Sequence, residues 1–418
     1  MIRPISISLS PNTESDDIWL AFRLLFQSWQ WRRGRAPELL EQAFAKRLGA
    51  KHAFAFNSGR SAFLAILEGL GLQKGDEVLL QAFTCNAVPN PVMWAGLKPV
   101  YVDCSEDDFN IDIADLERKI TPKSRVVVVQ HTFGMPADID SVLEICKKHN
   151  LILIEDCAHA LGAKYKGRET GTFGKAAFFS FSRDKVISSV YGGMATTNNE
   201  ELAQKIRTYQ EKIGYPCCCW IFQQLLHPPL MNWKILPTYR IFGKYLLIVS
   251  QWLHILSKAV HWKEKRGLKP SYFPKRLPNA LALLALHQFR KLERLNKHRQ
   301  EIAEFYSREL VDTKYKIPAC AVRPDTKYKE GSIFLRFPVR HPDAHTIIRK
   351  AWQQNLLIGD WYTTPIAPQD TQIDKMQYEK GSCPKAEKLA QSTFNLPTHI
   401  GITKEDAREI LALLAYWR

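Results

Sequence analysis

Between residues 36 and 200, short apolar runs alternate with stretches whose apolar residues recur at helical spacing. Phe54-Ala55-Phe56, Glu77-Val78-Leu79-Leu80, Pro99-Val100-Tyr101-Val102, Arg125 to Gln130 and Leu151-Ile152-Leu153-Ile154 read as strands. Between them, Phe63, Ile66, Leu67 and Leu70 fall on one face of a helix over 61–70. Ile139, Val142, Leu143 and Ile145 do the same over 138–149, and shorter helices are predicted over 91–95 and 113–120. Strands apolar on both faces and separated by amphipathic helices indicate a parallel sheet covered on both sides. The predicted fold class is therefore α/β, with a mostly parallel central sheet and helices on both faces.

Residues 214–276 depart from this alternation. They hold ten Lys/Arg against one acid, Glu264, a net +9 within a whole-chain charge of +16. Helical patterning resumes from Leu277 to Leu310, and 333–418 mixes strand and helix signals, ending in a helix from Glu405. The chain divides accordingly into 1–213, a large domain with an N-terminal segment; 214–276, a basic, Trp-rich insertion; and 277–418, a linking helix and a smaller C-terminal domain. The charge excess predicts attraction to phosphates, anionic lipid or nucleic acid. Nucleic acid is disfavoured, because no helix-turn-helix, zinc-finger or RNA-binding signature accompanies the charge. Nine cysteines, scattered apart from the run Cys217-Cys218-Cys219 and with no CxxC pair, suit a reducing compartment and predict no metal site. No basic start leads into a long apolar stretch, so no secretory leader is expected and the predicted location is cytoplasmic.

Two strand ends carry candidate chemistry. Ile154-Glu155-Asp156-Cys157-Ala158-His159 closes an apolar strand with acids, and ligand sites in α/β sheets lie at the carboxyl ends of strands. Phe178 to Ser182 forms a second apolar segment that leads to Lys185, followed by Gly192-Gly193. A carboxylate and a lysine so placed suit pyridoxal phosphate: the amine bonds to the aldehyde, and the carboxylate keeps the pyridine nitrogen protonated. Read alone, the pair also fits a surface Asp and a solvated Lys. Asn57-Ser58-Gly59-Arg60-Ser61 adds a strand-to-helix turn whose N–H groups suit a phosphate, with Arg60 as a further donor.

These segments, with Gly71-Leu72-Gln73-Lys74-Gly75-Asp76, His131-Thr132-Phe133-Gly134-Met135-Pro136 and Phe394-Asn395-Leu396-Pro397, resemble the DegT–DnrJ–StrS family of sugar aminotransferases. The resemblance runs nearly end to end outside 214–276. It implies the fold type I architecture of the aspartate aminotransferase superfamily, pyridoxal 5'-phosphate as cofactor and a homodimer. It implies Lys185 as the catalytic lysine and proton carrier, Asp156 at the pyridine nitrogen, and His159 near the cofactor's phenolic oxygen. Ser180, Ser58, Gly59 and Arg60 take the phosphate, and His131 and Tyr362 are candidate substrate contacts. The implied reaction moves an amino group from an amino acid, with glutamate the expected donor, to a keto sugar linked to a nucleotide. The alternative is a non-catalytic, membrane-associated scaffold with the same fold.

Three positions depart from the family. Arg60 stands where the family has threonine. Cys85 stands where many members place an aromatic ring on the cofactor, which leaves Phe83 as the candidate to stack. Phe273-Pro274-Lys275-Arg276 lacks the asparagine that reaches the partner subunit in many members.

Within the insertion, Lys244, Gln251, His254, Lys258 and His261 share one helical stripe, opposite Phe242, Tyr245, Val249, Leu253, Leu256 and Val260. The pattern predicts an amphipathic helix over 241–262, suited to an anionic membrane surface on the inner face or to packing on its own domain or a second subunit. Tyr245 to Ser257, 13 residues, is short of the roughly 20 that a spanning helix needs.

Overall fold

The computed structural model describes residues 3–322 and 331–417, so Met1 and Ile2, where the stretch read for a leader begins, lie outside the described residues. Seven strands form the central sheet: β1 (His52–Phe56), β2 (Glu77–Gln81), β3 (Lys98–Val102), β4 (Ser124–Gln130), β5 (Ile152–Asp156), β6 (Ala176–Ser180) and β7 (Gly193–Thr197). Their order is β1-β7-β6-β5-β4-β2-β3. Only β7 runs antiparallel to its neighbours in this sheet.

The uninterrupted valines of β4 explain its central place. Val126 and Val128 join one core with Phe54, Phe63, Ile66 and Phe178, whereas Val127 and Val129 join the opposite core with Leu79, Leu153, Val142 and Ile145. Successive residues of a strand point to opposite faces, so a strand covered twice must be apolar throughout. Helices α1 (Ser15–Leu25), α2 (Ala36–Leu48), α3 (Gly59–Leu70) and α4 (Ile139–Lys148) follow the large domain's pattern. Ser58 caps α3 by accepting the Ser61 N–H, and Gly71 ends it at φ 69°, a left-handed conformation that glycine adopts without a Cβ clash.

The 214–276 stretch is two things in the structure. Helix α5 (Cys218–Leu230) buries Trp220, Ile221 and Leu225 in a core shared with Ala21, Leu24 and Leu281. A turn of π-helix, Tyr239–Gly243, then leads into α6 (Lys244–Trp252). The helix expected over 241–262 therefore stops ten residues early. The Ile255 and Leu256 N–H groups both return to the Ser250 carbonyl, at 2.8 and 3.0 Å, and His254 takes φ 58°. This reversal buries Leu256 against Met231, Ile235 and Leu236, and brings Ser257 to Arg183.

The remainder holds α7 (Asn279–Phe289), α8 (Leu292–Leu310), α9 (Ala344–Gln353) and α10 (Lys404–Leu414) around an antiparallel pair, β8 (Arg336–Arg340) and β9 (Thr393–Pro397). Among the described residues no helix is long and apolar enough to cross a membrane.

Candidate active site

Strand register sets the floor of the site. Gln130 pairs with Asp156, Asp156 with Phe178, and Gly193 with both Ser180 and Phe56, so the carboxyl ends of β1, β4, β5 and β6 converge. They open into a cavity of about 410 Å³ lined by Gly59, Arg60, Cys85, Asp156, His159, Ser180, Lys185 and Tyr362, among others. Positions as far apart as Gly59 and Tyr362 thus meet at one opening. The turn before α3 comes close to β6: a methyl on Gly59 would lie 3.0 Å from the Ser180 Cβ.

Lys185 is fixed by its backbone. Its carbonyl accepts from the Asn12 side-chain amide, and Arg299 donates to both the Asn12 side-chain Oδ1, at 2.7 Å, and the Val186 backbone carbonyl, at 2.8 Å. The Lys185 amine lies 4.5 Å from the centre of the Trp361 ring. Burial holds this amine below the ordinary lysine range, which favours the neutral, nucleophilic form.

Asp156 is buried, and its carboxylate accepts the Ala158 N–H at 2.9 Å. Burial pushes the carboxyl up to about 6, although Lys185 and His131 both pull the other way. His159 accepts the Phe133 N–H on Nδ1, at 3.3 Å, and its Nε2 lies 3.4 Å from the Tyr362 hydroxyl. Burial holds the imidazole well below its ordinary value, so the ring is neutral with its proton on Nε2. It stacks on Trp361 at 5.1 Å.

The structure departs from the sequence expectations at four residues, Phe83, His131, Ser58 and Arg60. Phe83 does not reach the cavity wall; it is buried at φ 62° and packs against Phe109, Phe133 and Tyr362. Cys85 does line the cavity, and Trp361 is the aromatic ring nearest Lys185. His131 is a core strut: Nε2 meets Glu155 at 3.2 Å and Nδ1 accepts the Ala137 N–H at 3.1 Å. Glu155 in turn accepts from the Gly171, Phe173 and Gly174 N–H groups, which saturates it. Ser58 lies behind the wall as the α3 cap. Arg60 lines the wall, but its guanidinium is paired with the fully buried Glu264 and lies 4.6 Å from the Phe273 ring centre.

Sequence reading missed Trp361, Glu264, Asp184 and Arg336. Arg336 meets Asp184 at 3.1 Å and stacks 3.3 Å from the Trp361 ring centre, which holds that ring under the lysine. It also missed that Gln251, Lys258 and Lys265 supply one side of the cavity. No periodicity marks Trp361, Glu264, Asp184 or Arg336, and the helical stripe that holds Gln251 and Lys258 does not show that it meets the cavity. The adjacency of Trp361 to Tyr362 and of Asp184 to Lys185 pointed toward two of them.

The cavity thus combines a half-buried lysine, a buried carboxyl, two hydroxyls on Ser180 and Ser182, and the N-terminus of α3. The first N–H groups of that helix have no intrahelical acceptor and favour an anion. GDP-perosamine synthase of Caulobacter vibrioides is 28% identical over 409 residues, 97% of this chain and 96% of that protein. The structure of Helicobacter pylori PseC, an aminotransferase involved in the biosynthesis of pseudoaminic acid, matches with a TM-score of 0.76 at 23% identity over 99% of both chains. Spr1654 from Streptococcus pneumoniae, solved in a PLP form and a PMP form, matches with TM-scores of 0.73 and 0.75 at 21% and 20% identity; this chain is covered to 98% and those chains to 97% and 96%. The family match takes in 12–215, with Asp156 and Lys185, and 254–415, with Trp361 and Tyr362, and passes over 216–253. The chain belongs to the DegT/DnrJ/EryC1/StrS aminotransferase family.

Proposed function

We propose that this protein moves an amino group from an amino acid, glutamate the expected donor, to a nucleotide-linked keto sugar in polysaccharide or glycoconjugate biosynthesis. The observation that carries the reading is Lys185 and Asp156 facing one cavity beside an anion-ready helix end. The names of the relatives support the substrate class: one makes GDP-perosamine and another serves pseudoaminic acid biosynthesis. The PLP and PMP forms of Spr1654 support pyridoxal 5'-phosphate as cofactor.

The residues present fit that cofactor. Burial raises the Asp156 carboxyl to about 6 even with Lys185 and His131 nearby, and a protonated ring nitrogen beside it would favour its charged form. When bound, the cofactor offers an aldehyde to the donor's amine and a ring that takes up electrons from the substrate carbon. Lys185 would bond to it and carry the proton to and from the substrate carbon. Asp156 would keep the ring nitrogen protonated. Ser180 and the N–H groups of Gly59 and Arg60 would hold the phosphate. His159, neutral and donating from Nε2, would hold the phenolic oxygen, with Trp361 rather than Phe83 supplying the aromatic surface. Tyr362 remains the substrate contact of this reading; His131 does not.

The reading includes a cytoplasmic homodimer on the inner membrane face, with 1–213 as cofactor domain, 214–276 as insertion and 277–418 as linking helix and small domain. Nothing in the cavity favours the non-catalytic scaffold, since Lys185 and the buried Asp156 both line it. The purified protein, given pyridoxal phosphate, should turn yellow, and borohydride should fix the cofactor's mass on the peptide carrying Lys185. Glutamate with a panel of nucleotide keto sugars should yield 2-oxoglutarate with one of them, and Lys185→Ala should abolish both signals. A colourless protein that takes up no cofactor overturns the proposal.

A further inference from the structure

Helix α6 and the turn before it are amphipathic the wrong way round for a free surface. Ile241, Phe242, Tyr245, Ile248, Trp252 and Leu253 lie on one face, and that face points to water: Ile241 is 70% exposed, Tyr245 68% and Trp252 75%. Its buried side carries the small residues Gly243 and Ser250. Trp262 and Leu268, at 53% and 52% exposure, extend the apolar surface of the segment. A contiguous apolar face of this kind on a soluble chain marks a surface made to be covered.

The charges say by what. Lys234, Arg240, Lys244, Lys258, Arg266 and Lys269 are exposed in the same segment. The single acid of 214–276, Glu264, is buried and neutralised by Arg60. A second copy docked symmetrically would set this cationic rim against itself, and like charges across an interface oppose association. A nucleic acid would match the charge and leave the tryptophan and isoleucine side chains in water. An anionic bilayer surface meets both demands, taking apolar side chains into the acyl boundary while lysine and arginine stay among the headgroups.

We infer that residues 239–253, with Trp262 and the surrounding cations, dock the enzyme on an anionic lipid bilayer with α6 lying in the interface plane. The inference deepens the peripheral location proposed above and rests on that reading. It also fixes where the chemistry happens. Gln251 lines the cavity that holds Lys185, and its neighbour Trp252 is the most exposed residue of the stripe. Docking through the outer face of α6 therefore places one wall of the cavity next to the headgroups.

The test is flotation of the cofactor-loaded full chain with vesicles of phosphatidylcholine alone or with one-third phosphatidylglycerol. The wild type should float with the anionic vesicles, release at high salt, and stay down with the neutral ones. Arg240→Gln with Lys244→Gln should weaken binding about thirtyfold, at roughly a factor of five per cation. Ile248→Gln with Trp252→Gln should weaken it at least tenfold. Both variants change exposed side chains and should keep the yellow cofactor, which separates failure of docking from failure of the aminotransferase reading. Equal binding to neutral vesicles, no binding to either, or a solution mass that halves in the Ile248/Trp252 variant would overturn the inference, the last by assigning the stripe to a second copy.

Discussion

Asp156 ends a buried strand with the Ala158 N–H as its close donor, and burial raises its carboxyl from an ordinary value of 3.8 to about 6. The sign of the consequence follows. Below 3.8 the folded and unfolded chains are both protonated there, and the group contributes no pH dependence. Between 3.8 and 6 the unfolded chain has released the proton and the folded chain still binds it, so stability falls as pH rises, and above 6 the full loss persists. That loss amounts to about 3 kcal/mol, an upper bound because water and relaxation soften the burial. A carboxyl kept at such a cost to the fold is a mark of function. Asp156→Asn keeps the Ala158 hydrogen bond and removes the ionisation. In cofactor-free protein it should raise the urea midpoint at pH 7.5, with the gap closing near pH 4. The same substitution should lower transamination by about 10²–10³, the range seen when one electrostatic contact at a reacting group is lost. Equal midpoints for the two proteins at pH 7.5 would show that the carboxyl is not strained by burial.

At the scale of elements, the site depends on how closely β7 approaches the start of α3. A methyl on Gly193 would lie 2.4 Å from the Gly59 nitrogen and 2.4 Å from the Ser58 carbonyl carbon, both backbone atoms that cannot swing away. Gly193→Ala should therefore cost about 3 kcal/mol or more, and cofactor affinity should fall with it because the displaced atoms form the helix N-terminus. Gly71→Ala is the contrast: φ is 69° but open space surrounds the added carbon, so its cost should be only about 1–2 kcal/mol. Urea unfolding of the two variants, with cofactor titration, separates close approach from backbone conformation. The Gly192-Gly193 pair was legible in the sequence as part of a site; what it was for was not, because the partner atoms lie over 130 positions earlier. The parallel strands were readable from local pattern; Asp156 and Lys185 were not, since that pattern also fits a surface Asp and a solvated Lys, and the turn at 57–61 and the family resemblance singled them out. Phe83 was not, since a left-handed backbone at that residue turns its ring into the core instead of the cavity. Nor was the end of α6, where the periodicity runs on but the Ser250 carbonyl captures two N–H groups and reverses the chain.

Across the whole molecule, the segment after α6 is strapped onto residues of 1–213 by contacts that no local pattern reveals. Arg183 donates to the Ser257 carbonyl at 2.5 Å, the Tyr191 hydroxyl to the Lys258 carbonyl at 2.7 Å, and the Asn90 amide to the Glu264 carbonyl at 3.0 Å. The buried pair of Arg60 and Glu264 links positions 204 residues apart. These contacts join the apolar face of α6 to the wall of the Lys185 cavity, so the strap decides whether the proposed docking and the chemistry are coupled. Removing one partner of a buried ion pair leaves an unmatched charge, at about 3–5 kcal/mol, whereas replacing both with apolar side chains is often neutral. Glu264→Ala should therefore lower stability by that amount and expose Lys258 and Lys263 to trypsin. Arg60→Met with Glu264→Leu should recover most of the stability and the protease resistance. It should also show whether Arg60 serves the phosphate, because an arginine needed there would leave the rescued double variant stable yet weak in cofactor uptake. If the double variant is as labile as Glu264→Ala, the strap is held by the backbone contacts around the pair rather than by its charge.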